Sequence, residues 1–332
     1  MKNVEISTPW VKSGKEILDL QIQEVPMLLH PIFPKYGVVA LAGSSDLGKS
    51  FLLLQLACAI VEGRTDFLGF TLNASHQSAI YLSTEDDEYS LCPRLLNLAK
   101  TCTDSERYDN LKVMFESTDL VKRLETLLKA QPADVVMIDT FSDIFDGDMN
   151  QSNKVRSFIQ KFKNLSVKYN TLIVFNHHCG KKNDYRAPHK DNLLGSQGFE
   201  SSMRAVIELR KDFNEDGKRH LCIVKGNYLP DSFKSSSFCL SFNYQDGFRN
   251  TGQRVSFDKL AKSEEGEQTA RMSLEERIHT LRASGMLYSK IAAKVQAEGF
   301  KISRSTVGDI CKKKKRPTNQ LPLGKEMDGQ AA

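Results

Sequence analysis

The sequence predicts an α/β protein: a mostly parallel central sheet with helices on both faces, followed by a small all-α C-terminal domain. Three observations carry this. Short, continuous apolar runs rich in Val and Ile recur from Val38 to Gly226, and such runs suit strands buried on both faces. Segments with helical spacing lie between them, and that alternation favours parallel strands joined by crossover helices. Beyond about Arg249 the apolar runs thin out, and three amphipathic pieces follow.

The elements follow in order. Val38–Ala42 is an apolar run that leads straight into GSSDLGKS at 43–50. The stretch FLLLQLACAIVEG is apolar at nearly every position, has helix length and stops at Gly63. Further strands are expected at AIYLSTE (79–85), KVMFES (112–117), DVVMIDT (134–140), TLIVFNHH (171–178), AVIELR (205–210) and HLCIVKG (220–226). Helices are expected at DLVKRLETLLKA (119–130) and SNKVRSFIQKFKNLSVKY (152–169). SEEGEQTARM is polar and contains glycine, which reads as linker. In SLEERIHTLRASG, Ser273 stands three residues before Glu276, the spacing of a capping box. LYSKIAAKVQAEG ends at Gly299, and ISRSTVGDICKKKKR begins at Ser303, a residue type suited to an N-cap. Two helices joined by a short turn, the second opening on small polar and basic residues such as Arg304 and Ser305, fit a helix-turn-helix. The alternative is a three-helix docking or oligomerisation module.

Composition narrows the function classes. The 332 residues are 40% hydrophobic and 26% charged, an ordinary globular balance. No run of about 18 apolar residues occurs, so no membrane span is expected. The first residues are polar and mixed in charge, unlike a signal peptide, which leads to an expectation of cytoplasm. Seven cysteines without a CxxC pair argue against a disulfide framework or a zinc finger. Residues 271–332 hold 13 Lys/Arg against 6 Asp/Glu, leaving 33 against 35 for the rest of the 46 and 41. The body is near neutral and the tail strongly basic, which points to a polyanion at the C-terminus, with a solvated tail as the alternative.

The stretch from 43 to 50 has the spacing G-x-x-x-x-G-K-S, after a strand and before a helix. Gly43 and Gly48 let the backbone bend around phosphate oxygens, and the N–H groups of Ser44, Ser45, Asp46 and Leu47 with the helix start favour negative charge. Lys49 is expected on the β- and γ-phosphates of ATP, and Ser50 on Mg²⁺. Asp139 ends the run VVMID, at the carboxyl end of a buried strand, and is the expected second metal contact; a capping aspartate is the alternative. Thr140 follows it, so a base for water must come from elsewhere. Glu85, directly after AIYLST, is the candidate, although Asp86, Asp87 and Glu88 crowd the same turn. His177 and His178 end IVFNHH, where a polar side chain can sense the γ-phosphate; His178 is favoured over His177.

Gly43–Ser50, Glu85, Asp139-Thr140 and the His-His pair together resemble the RecA-like ATPases of plasmids and phages. RepA-type hexameric replicative helicases are the nearest type, with the DnaB and RecA groups behind them. The resemblance covers roughly residues 25–245 and implies a RecA-like P-loop core. The expected domains are therefore a RecA-like ATPase domain at 1–248, a linker at 249–272, a helix-turn-helix domain at 273–316 and a disordered tail at 317–332. ISRSTVGDI is similar to the small DNA-binding ends of resolvases and related mobile-element proteins.

The resemblance implies a homo-hexameric ring with ATP at each subunit boundary. Such a ring needs a cation from the neighbour. Arg204 matches the family's segment for that role, and Lys225, beside Asn227, is the second choice. Family members hold single-stranded DNA on channel loops, which here fall at 146–156 and 179–192. The second loop carries Lys181, Lys182, Arg186 and Lys190, with Tyr185 available for stacking. The expected activity is that of a ring ATPase that moves on or unwinds DNA for replication of a mobile element, with duplex bound through the C-terminal domain. The alternatives are an ATP-switched DNA-binding regulator and a recombinase-type filament. A small-molecule kinase ranks low, since nothing reads as an acceptor lid.

Overall fold

The computed structural model describes residues 11–180, 186–195, 197–261, 264–297 and 302–312. The chain divides into two compact units, with the division between Lys262 and Ser263. The first unit opens with α1 (Gly14–Leu18), β1 (Met27–His30), β2 (Phe33–Pro34), β3 (Gly37–Gly43), α2 (Lys49–Val61), β4 (Asp66–Phe67) and β5 (Phe70–Leu72). It continues with β6 (Ala79–Ser83), α3 (Glu88–Ala99), β7 (Leu111–Met114), α4 (Leu120–Ala130), β8 (Val135–Asp139), α5 (Phe141–Ile144) and α6 (Ser152–Tyr169). It closes with β9 (Leu172–His178), α7 (Gln197–Ser202), β10 (Ala205–Lys211), β11 (Lys218–Gly226), β12 (Ser236–Asn243) and β13 (Gly247–Ser256).

The large sheet has the order β13-β12-β11-β10-β3-β9-β8-β6-β7. From β10 through to β7 every neighbouring pair is parallel, while β10 to β13 pair antiparallel. The α/β expectation with a mostly parallel sheet is met. A second, small antiparallel sheet has the order β2-β1-β5-β4.

Strand alternation explains the layers. Val39 and Leu41 of β3 face a core with α2, while Val38 and Ala40 face the opposite core with α4 and α6. Helix α2 is buried on nearly all sides, which is why its sequence shows no polar stripe. Helix α6 buries Val155, Ile159, Phe162 and Leu165 at helical spacing. Its Ser166 hydroxyl accepts from the Gly37 N–H and donates to the Thr171 carbonyl, both at 2.6 Å, tying the helix to the start of β3. Each fully buried Leu of these cores contributes roughly 1.5–3 kcal/mol.

Two expectations need correction. The linker expected at 249–272 is largely regular structure: β13 runs to Ser256, a 3-10 turn follows at Phe257–Leu260, and α8 (Glu264–Ala283) begins two residues after Lys262. Strand β13 is sparse in apolar residues because much of it is exposed, yet its backbone pairs with β12. Ser273 consequently lies inside α8 and is no helix cap.

The second unit packs α8 with α9 (Tyr288–Ala297) and α10 (Arg304–Lys312) around Ile278, Ile291, Val295, Ile302 and Val307. Ser303 caps α10, its Oγ accepting from the Thr306 N–H at 3.1 Å. The expected tail at 317–332 lies outside the described residues. No described helix is long and apolar enough to cross a membrane.

Candidate active site

Strand β3 delivers the loop 44–48 to the carboxyl edge of the sheet, and α2 leaves from it. Gly48 takes φ +87°, in the left-handed region that suits glycine, as the residue before α2. A Cβ on Gly43 would lie 2.6 Å from the Leu209 carbonyl oxygen, so the loop closes on β10 without room for a side chain. Lys49 is buried, and its ammonium donates to the Ser44 carbonyl at 2.7 Å. Burial pulls its pKa below the ordinary lysine value, while Cys179, Asp139 and Glu85 oppose that pull.

A cleft of about 350 Å³ opens over this loop. It is lined by Ser45–Phe51, Glu85, Asp86, Arg94, Asn176, His178 and Tyr244. A larger cavity of about 620 Å³, near Arg64, Asn97 and Arg249, holds none of the motif residues. The chemistry-bearing groups gather in the smaller one.

Asp139 is buried at the end of β8. Its Oδ2 accepts from the Tyr81 hydroxyl at 2.5 Å, and its Oδ1 accepts from the Asn176 side-chain amide. The Tyr81 hydroxyl also sits 3.5 Å from the Ser50 carbonyl oxygen, between the two expected metal contacts. Burial, then the Asp139 charge, drives the Tyr81 pKa well above its ordinary value. It therefore stays a donor.

The four acids after β6 are sorted by their partners. Asp86 pairs with Arg94, the second contact of the fork being 3.2 Å. Asp87 caps α3 by accepting from the Ser90 N–H at 2.8 Å. Glu88 opens α3. Glu85 lines the cleft. Its pKa is raised, first by partial desolvation and then by Asp139 and Asp143, with Lys49 pulling the other way.

The two histidines also separate. His177 is buried, stacks on Phe199 at 4.1 Å between ring centres, and places Nε2 2.7 Å from the Leu194 carbonyl oxygen. Burial lowers its pKa to about 4. His178 lines the cleft, and burial first, then Lys49, lowers its pKa.

Arg204 and Lys225 are not in this cleft. Arg204 lies beside Gly37, at the start of β3, with its guanidinium over the Tyr36 ring at 5.4 Å. Strand β3 spans seven residues, so Arg204 is about 20 Å from its own phosphate loop at ~3.3 Å per residue. Lys225 pairs in register with Val206 at the same edge and bonds Glu200 at 2.9 Å. Lys163 lies among them: burial and then the charges of Lys225, Arg204 and Arg156 lower its pKa. Asn227 falls in the turn after β11.

Arg186 and Lys190 are exposed on the loop after β9, whereas Lys181, Lys182 and Tyr185 lie outside the described residues. In the second unit, Arg304 and Ser305 are exposed on the first turn of α10.

Three residues at the site were not singled out in the sequence. Asn176 precedes the histidines, and its Oδ1 is buried without a hydrogen-bond partner among the described residues. Tyr81 alternates with the core of β6, and its position opposite Asp139 comes from strand pairing. Tyr244, 65% exposed, arrives on the β12–β13 turn, where it packs edge-on against Phe51 and Phe242. Only Asn176 had a local signal, its place at a strand end.

The chain was also compared with known proteins. A solved helicase ATPase domain superposes with a TM-score of 0.53 at 13% identity, over 71% of this chain and 95% of that one. A KaiC-like protein, PH0186 of the archaeon Pyrococcus horikoshii OT3, gives 0.48 at 18% identity, over 67% and 93%. No curated protein matches. The model of an AAA-domain family matches residues 7–184, more than half of the chain. The chain belongs to that AAA-domain family, and its first unit has a RecA-like P-loop ATPase fold.

Proposed function

We propose that this chain is an ATP-hydrolysing ring ATPase that acts on DNA in the cytoplasm, as a replicative helicase or an origin-directed replication ATPase of a mobile element. The observation that carries the reading is one cleft lined by Lys49, Ser50, Glu85, Asn176 and His178, with Asp139 hydrogen-bonded behind it.

The residues present fit ATP and Mg²⁺. The glycines at 43 and 48 leave the loop free of side chains where phosphate oxygens approach. Asp139 is held by two neutral donors, so its charge is left for a cation. Ser50 and Asp139 would hold Mg²⁺, which neutralises charge on the β- and γ-phosphate oxygens.

In hydrolysis, Lys49 exchanges the Ser44 carbonyl for a phosphate oxygen, a stronger acceptor because it is charged. Glu85 takes a proton from the water that attacks the γ-phosphorus. The water oxygen bonds to phosphorus, the bond to the β–γ bridging oxygen breaks, and ADP leaves. A positioned base of this kind contributes about 10²–10⁴-fold in rate. Tyr244 offers an aromatic face to the base of the nucleotide.

Arg204 and Lys225 stand at the sheet edge remote from their own loop, which suits action on a neighbouring subunit's γ-phosphate in a homo-hexamer. Arg186 and Lys190, with Lys181 and Lys182 of the same loop, would follow a single strand, and Arg304 and Ser305 would meet duplex as the second helix of a helix-turn-helix. The test is a mixing experiment. Arg204→Ala and Lys49→Ala subunits should each be inactive alone and regain turnover when mixed, since each supplies what the other lacks. No recovery at any ratio contradicts the ring.

A further inference from the structure

Glu208 and Arg210 stand two apart on β10, so both side chains leave the same face. They are 0% and 4% exposed, and Arg210 Nε lies 3.5 Å from Glu208 Oε1. A buried ion pair seldom outperforms apolar residues of the same volume, because both ions lose their hydration. Its partners suggest another role. Glu208 Oε2 accepts from the His189 backbone N–H and from the Asn192 side-chain amide, each at 3.2 Å. Arg210 donates to the Arg186 carbonyl at 2.6 Å. The pair thus grips residues 186–192 at three points. On the next strand, opposite Arg210, buried His220 bonds Asp212 at 2.8 Å and the Ser237 hydroxyl at 3.0 Å.

The gripped segment returns to the nucleotide cleft. The Asn192 carbonyl accepts from the Gly180 N–H at 3.1 Å, and the Leu194 N–H donates to the His178 carbonyl at 3.0 Å. Cys179 and Leu193 form an antiparallel bridge between these two bonds. One leg of this stem is continuous with β9 and His178. The other is fastened to β10.

We propose that Glu208 and Arg210 are positioning residues that fix segment 186–194 on β10, so that a change at His178 is transmitted to Arg186 and Lys190. This rests on the reading above, in which that segment meets single-stranded DNA and turnover responds to it. Neither residue touches the nucleotide cleft.

The test uses the full chain carrying Glu208→Leu with Arg210→Met. Amide hydrogen exchange at Gly180, His189 and Leu194 should rise at least about tenfold, while β3 amides stay protected. Unstimulated turnover and the KM for ATP should stay within about twofold, and stimulation by an oligo-dT strand should fall about tenfold. Arg210→Lys, which can still donate to the Arg186 carbonyl, should keep most of the stimulation. Unchanged exchange, or raised exchange with full stimulation, overturns the proposal. Should the double variant unfold, Glu208→Gln and Arg210→Lys carry the same comparison, and Arg210→Lys behaving no better than Arg210→Met overturns it. A wild-type chain that oligo-dT does not stimulate removes the DNA reading alone; the anchor then stands or falls on the exchange result.

Discussion

The Lys49 ammonium lies 2.7 Å from the Ser44 carbonyl oxygen, inside the loop that it closes. That contact keeps a buried cation hydrogen-bonded and ready for exchange with phosphate. Lys49→Ala should abolish ATP binding at micromolar concentration and all turnover, with the fold retained by circular dichroism. Nucleotide binding of wild-type strength would contradict it.

Tyr81 holds the Asp139 carboxylate from one side. Tyr81→Phe keeps the ring in the core and removes one donor. A stability loss of about 1 kcal/mol is expected from a hydrogen bond of this kind. The Mg²⁺ concentration for half-maximal turnover should rise several-fold while saturating turnover falls less. Titration of turnover with Mg²⁺ decides it.

Glu85 is the acid left to act on water. Glu85→Gln should bind ATP normally and lose at least about 100-fold in turnover. Because the Glu85 pKa is raised, the carboxylate is lost at a higher pH than for an ordinary glutamate. The acidic limb of the wild-type pH–rate profile should therefore lie above about pH 4.3, the usual glutamate value. Retained turnover in Glu85→Gln would remove it from this role.

His177 gives a stability test. Its pKa is about 4 when folded, below the ordinary 6.5, with burial as the largest cause. Between these values the unfolded chain binds a proton that the folded chain refuses. The contribution is therefore intact above pH 6.5 and is lost as pH falls toward 4, by up to about 3 kcal/mol. His177→Phe should flatten the fall of Tm over that window, and an equal fall in both proteins would contradict it.

The basic second unit should be removed at the observed division. Deleting residues 263–332 should weaken duplex binding and flatten its dependence on salt, because fewer phosphates are neutralised. An unchanged salt slope would give the unit a protein-docking role.

The core strands were readable because parallel strands buried on both faces are written as continuous apolar runs, as in Val135–Asp139 and Leu172–His178. Helix α3 was not, since Pro93 sits inside it and it buries little besides Leu91. Strand β13 and the first half of α8 were read as linker because neither carries a strong apolar pattern. At the site, Lys49, Asp139 and Glu85 were legible because motif spacing and strand ends mark them. Tyr244 was not, because its place over the cleft depends on a hairpin packed against α2 from some 190 residues away. Glu208 and Arg210 stood in plain view as charges within the run AVIELR, but their partners come from the loop after β9.

The most direct measurement is steady-state ATP turnover with and without single-stranded DNA, with Lys49→Ala as the blank. The account predicts turnover that depends on Lys49 and rises at least about tenfold with single strands. Slow turnover indifferent to single strands would contradict a motor and leave the phosphate loop as an assembly switch for DNA binding by the second unit.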